Sequence, residues 1–132
     1  MISNLFKFAG FSGAIAVVLG ALGAHALKEV LSPELLASFE TGVRYHLIHS
    51  LLLLVLATMV KSETYNTKRL VLASKLLVVG MVFFSGSIYL LSTRHLMGAD
   101  FLKVLGPITP VGGILLISAW FMIAISFTRK ID

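Results

Sequence analysis

Four long apolar blocks, over positions 5–27, 45–60, 70–91 and 104–128, constrain this chain more than any other feature. A helix rises 1.5 Å per residue, so about 20 apolar residues cross a hydrocarbon core roughly 30 Å thick. A soluble core helix needs one wet face, and these blocks are too evenly apolar to provide it. Only 13% of the 132 residues are charged, against roughly 25% in an ordinary soluble domain. The sequence therefore predicts an all-α membrane protein, an antiparallel four-transmembrane-helix bundle forming one domain over 1–132, with helices at about 5–27, 33–60, 70–92 and 110–128.

Local signals set the ends. Ala24-His25-Ala26 after an apolar run has the look of a signal cleavage site, but the run is longer than a typical signal core, so we expect helix one to be retained as a span. Ser32-Pro33-Glu34 reads as cap, first helical residue and an acid at the positive end of the dipole. The second helix then begins outside the hydrocarbon and enters it near Tyr45. Gly106-Pro107 interrupts the fourth block, which predicts Thr109 as the cap and Pro110 as the first residue of helix four.

Charge excludes some functions and orients the rest. The eleven Lys and Arg residues flank the apolar blocks without a basic, aromatic-interleaved run, so no nucleic acid is expected as a partner. Lys7, Lys61, Lys68, Arg69, Lys75, Arg129 and Lys130 fall on one side, and Lys28, Arg44, Arg94 and Lys103 on the other, so the positive-inside rule predicts cytoplasmic termini. The absence of cysteine excludes disulfides and thiolate chemistry.

In lipid, small residues let helices approach closely. Gly13, Ala16, Gly20, Gly23 and Ala24 share a stripe on helix one, and Gly112, Ala119 and Ser126 follow a seven-residue spacing on helix four. Gly86 and Gly113 are read as further packing points. Either stripe could pack the monomer or join two copies, and packing within the monomer comes first.

The polar residues within the blocks are the candidate site. Gly42, Tyr45, His46 and His49 lie on one helical face. His25, at the end of helix one, is expected at a similar depth. Two or three imidazoles could bind a metal or haem, or relay a proton. The plainer alternative is that each histidine bonds a carbonyl or hydroxyl and holds helices together. Ser85 and Tyr89 lie with Ser74 and Ser92 on a hydroxyl stripe of helix three, Glu40 and Arg44 are spaced as a helical ion pair, Trp120 reads as packing, and His95 as a loop residue.

Gly20-Ala21-Leu22-Gly23-Ala24-His25, Tyr45-x-x-x-His49, Phe84-Ser85-Gly86-Ser87-Ile88-Tyr89 and Thr109-Pro110-Val111-Gly112-Gly113 together resemble the bacterial inner-membrane family known as domain of unknown function 423, similar also to the eukaryotic transmembrane protein 256 group. The resemblance runs in matching order from about residue 10 to 127. It implies a small four-span protein of the bacterial inner membrane and supplies no reaction. His46 stands where the family more often carries an amide, so the resemblance moves the ligand reading to His25, Tyr45 and His49. The stretch 95–103 is longer than the family's usual third connection.

We therefore expect a non-enzymatic structural, lipid-interacting or partner-binding bundle, whose partners are the lipid bilayer and a second copy or another membrane protein. The alternatives are a metal, haem or proton-relay site at His25, Tyr45 and His49, or a small oligomeric transporter or channel.

Overall fold

The computed structural model describes residues 2–60, 62 and 64–127. Lys61, Arg129 and Lys130 of the charge count and the expected helix end at 128 lie outside the described residues. Among the described residues, five α-helices make four membrane-length segments. The first is α1 (Ile2–Ala24), followed by a 3₁₀ turn at Leu27–Glu29. The second is α2 (Pro33–Met59). The third consists of α3 (Thr67–Met81), a π-helical turn (Val82–Gly86) and α4 (Ser87–Thr93). A 3₁₀ segment, Asp100–Leu105, leads into the fourth, α5 (Ile108–Ala124).

The start of α2 follows the local chemistry: Ser32 Oγ accepts from Leu35 N at 3.4 Å, and Pro33 opens the helix. Helix three starts three residues earlier than expected, because Asn66 Oδ1 accepts from Arg69 N at 3.1 Å and so caps it. After α4 the chain turns through Gly98 at φ 62, a left-handed conformation that glycine adopts without steric cost.

Thr109 is not the cap of helix four. The helix begins at Ile108 with Pro107 before it and no side-chain cap. The preceding 3₁₀ turns have already brought the backbone into helical conformation, and the Thr109 hydroxyl lies across the interface against Ser87. Pro110 is therefore third in the helix, where its missing N–H would have had no intrahelical partner.

The glycine contacts show how the spans run. Along α1, Gly13, Gly20 and Gly23 face Ser50, Val43 and Phe39 in turn, so the two helices are antiparallel. Gly80 faces Leu116 while Gly112 faces Phe84, which sets α3 antiparallel to α5. Gly42 of α2 lies against Ile88 and Tyr89 of α4. Buried Leu53, Leu56, Leu70, Leu77, Leu116 and Ala119 join α2, α3 and α5 in the apolar core. At the α3 start, Asn66 N donates to Ser126 O at 2.7 Å and Arg69 Nη1 donates to Ile125 O, binding that connection to the end of α5.

The closest approach is at the π turn. A Cβ on Gly112 would lie 2.3 Å from Phe84 N, so helix four touches bare backbone there. Gly113 meets only the Phe84 ring, at 3.7 Å. Gly86 is not a packing point: a Cβ there would meet nothing within 4 Å. It faces open space. Replacing Gly112 by Ala should destabilise the bundle by about 1–3 kcal/mol through overpacking, whereas Gly86→Ala should be neutral or slightly stabilising. Thermal unfolding of the two variants in detergent checks the contrast.

Candidate functional site

The polar groups of the spans meet in two hydrogen-bonded sets, both built on α2. In the first, Ser50 Oγ donates to the His46 carbonyl at 2.8 Å, as a hydroxyl one turn on from that carbonyl can. With its proton spent there, Ser50 Oγ accepts from Ser12 Oγ of α1, 2.8 Å away. Ser12 Oγ in turn accepts from His46 Nε2–H at 2.9 Å. That leaves His46 Nδ1 as an acceptor, and the Tyr89 hydroxyl of α4 donates to it at 3.1 Å. Every proton in this chain has one consistent direction, and it ties α1, α2 and α4 together.

The second set has the opposite tautomer. His49 Nδ1–H donates to the Tyr45 carbonyl at 2.7 Å. Its Nε2 lone pair then accepts from Trp120 Nε1–H of α5 at 3.3 Å. An indole N–H is a donor only, so this contact requires His49 to be neutral with Nε2 unprotonated. Trp120 is thus a hydrogen-bonding residue as well as a packing one. Tyr45 stacks on His49 with ring centroids 5.8 Å apart and packs at a tilt against Phe84, with centroids 4.6 Å apart. A third link joins α5 to α4: Ser87 Oγ donates to the Phe84 carbonyl at 3.0 Å and lies 2.6 Å from Thr109 Oγ1, which therefore donates to it.

The expected set of His25, Tyr45 and His49 does not assemble. Gly23, beside His25, packs on Phe39, ten positions from His49 and so about 15 Å away along α2. His25 is exposed at the end of α1. The residue of α1 that meets the polar face of α2 is Ser12, through His46 and Ser50, and sequence reasoning assigned it no role. Ser12 stands beside Gly13 on the small-residue stripe, and a hydroxyl on such a stripe was the available signal. His46, set aside because the family pattern disfavoured it, is central. Ser85 and Tyr89 lie on the same flank as His46, and all three line one cavity with Ser12. Glu40 and Arg44 form no ion pair among the described residues, and both are exposed. His95 Nδ1 lies 3.0 Å from Asp100 Oδ1 in the third connection.

Metal coordination requires a free nitrogen lone pair. The His46 lone pair is taken by Tyr89 and that of His49 by Trp120. No cluster of three His, Asp or Glu side chains suited to a metal occurs among the described residues.

Four apolar spans joined by hydrogen bonds between their polar side chains define an all-α integral membrane protein. The chain belongs to the family described as Protein of unknown function (DUF423), whose model matches residues 19–113. It is 38% identical over 115 residues to the UPF0382 membrane protein YwdK of Bacillus subtilis, covering 87% of this chain and 88% of that one. It is 34% identical over 122 residues to the UPF0382 inner membrane protein YgdD of Escherichia coli, covering 92% and 87%. A UPF0382 membrane protein of Schizosaccharomyces pombe is 37% identical over 120 residues, covering 89% and 95%. No solved structure matches the chain.

If the His49–Trp120 bond holds α2 to α5, a double-mutant cycle with His49→Ala and Trp120→Phe should give a coupling near the average of about 0.6 kcal/mol for polar contacts between membrane helices, and no more than about 1.7 kcal/mol. Denaturation in mixed micelles measures it, and zero coupling would refute the bond.

Proposed function

We propose that the chain works without catalysing a reaction, as a single-domain structural bundle of the bacterial inner membrane that presents its outer surface to lipid and to a membrane-embedded partner. The observation that carries this reading is the closed hydrogen bonding of His46 and His49, whose ring donors and acceptors are all spent within the bundle, three of the four on other helices and one on the Tyr45 carbonyl of α2 itself. Groups bound in this way hold a fold together, whereas a general base or metal ligand must keep a lone pair for its substrate or ion.

The outer surface supports the same reading. Phe11 is 72% exposed, Ile114 62% and Phe121 65%, so α1 and α5 carry large apolar side chains outward. Lipid covers such a surface, and a second copy or another membrane protein can replace the lipid. The name of YgdD, an inner membrane protein, supports the location. Cytoplasmic termini are supported by Lys7, Lys68 and Arg69, since Arg69 lies against Ile125 at the end of α5.

His46→Ala and His49→Ala should each lower the unfolding temperature of the purified protein and change neither its metal content nor its visible absorption. Elemental analysis and spectroscopy on protein taken from its native membrane test this. A stoichiometric metal or chromophore that either substitution removes would overturn the proposal. A reporter fused to the C-terminus should be active only as a cytoplasmic fusion; a periplasmic signal would reverse the orientation.

A further inference from the structure

Among the described residues, the Ser85 hydroxyl is a buried side-chain oxygen of the spans that the network leaves without a partner. Ser85, in the π turn, is 1% exposed, and its Oγ finds no hydrogen-bond partner among the described residues. A buried hydroxyl without a partner is costly in any apolar surrounding, and most of all in a membrane. Ser85 lines a cavity of about 240 Å³ between α1 and the third span, beside Ser12, His46 and Tyr89. With the Tyr89 proton committed to His46, the capacity left in this cavity is the Ser85 O–H as donor and lone pairs on the Ser85, Tyr89 and Ser12 oxygens as acceptors.

The remaining walls are apolar, and Phe8, Ile15 and Val82, which are 42%, 54% and 60% exposed, form the part open to the bilayer. An ordered buried water makes about three hydrogen bonds, so these few polar groups cannot hold a cluster of waters here. Gly86 also lines it, and a Cβ there would touch nothing within 4 Å. Packing does not require this glycine, but a side chain at that position would fill the cavity. Val78 is shared with a second cavity of about 370 Å³, walled mainly by Leu5, Val60, Val71 and Val79, with Lys75 as its charged member.

We propose that this groove binds a neutral amphiphile entering sideways from the bilayer, with its single hydroxyl or carbonyl head on Ser85 and its apolar tail along Val78 into the second cavity. Depth and charge select this class. Ser85 lies eight positions before Thr93, about 12 Å inside the end of the span, below the level of a phosphate headgroup. No Lys or Arg lines the cavity around Ser85 to receive an anion. The shared chemistry is found both in diacylglycerols and in isoprenoid quinones, which carry a hydroxyl or carbonyl on a long apolar body. The proposal goes beyond the structural reading above and does not depend on it.

The test uses the full chain in phosphatidylcholine vesicles with two diazirine probes of equal tail length, a long-chain alcohol and the matching alkane. Photolabelled residues are mapped by mass spectrometry. The alcohol should label the groove residues Phe8, Ile15 and Val82 at least threefold more than the alkane does. Ser85→Ala should reduce this preference to parity, and Gly86→Leu should remove groove labelling by both probes. Circular dichroism melting confirms that each variant is folded. Because Gly86→Leu acts by filling space and Ser85→Ala by removing a hydroxyl, the failure of one variant to fold leaves the other decisive. Competition by excess dioleoylglycerol or excess ubiquinone separates the two sources, and displacement by either supports the site. Equal labelling by both probes in the wild type, labelling spread evenly over the lipid-facing surface, or displacement by neither competitor would overturn it.

Discussion

No water is available in the hydrocarbon core of a bilayer, so each polar group that enters it must find its partner within the protein. The arrangement of this bundle follows from that constraint. Its histidines, serines and tyrosine occupy α1, α2 and α4 at matched depths, and the chain of bonds from Tyr89 through His46 and Ser12 ends on a carbonyl of α2 itself. His49 with Trp120, and Ser87 with Thr109, attach α5 to the same framework. Small residues and hydrogen bonds divide the work: glycines set how closely two helices approach, and the polar pairs set which residues stand opposite one another.

This division explains what could be read in the sequence. The spans were legible because apolar length is a local property, and so was the α2 start at Ser32, where cap, proline and acid occur together. Partners across helices were not legible, because they depend on how far one helix slides past the next. His25 and His49 looked level when both were assigned to the same end of the membrane, yet the contact of Gly23 with Phe39 sets them two to three turns apart. His46 was discounted on a family pattern, although its place one turn from Gly42 and Ser50 on the buried side of α2 is what brings it to Ser12 and Tyr89. Thr109 carried the right composition for a cap, and only the position of Ser87 shows why its hydroxyl is used elsewhere.

The two histidines also show how little residue type says about role. They are three positions apart on one helix, in the spacing that makes a metal pair conceivable. One holds its proton on Nε2 and the other on Nδ1, because a hydroxyl and a carbonyl respectively receive it. Each is fixed by a partner from a different helix, so the pair acts as two separate ties, one towards α4 and one towards α5.

The π turn at Val82–Gly86 makes the third span two helices out of phase. An extra residue in one turn rotates everything beyond it by about 100° relative to an uninterrupted helix. Before the turn, α3 directs Gly80 towards α5; after it, α4 directs Ile88 and Tyr89 towards α2. One inserted residue therefore lets a single membrane crossing shift its main contact from α5 to α2 part-way along, while Leu77 still joins the core shared with α2 and Ser87 still bonds Thr109 of α5. Chain length at this position is thus a structural variable in its own right: removing or adding one residue there would redirect the whole second half of the crossing, with every side chain chemically unchanged.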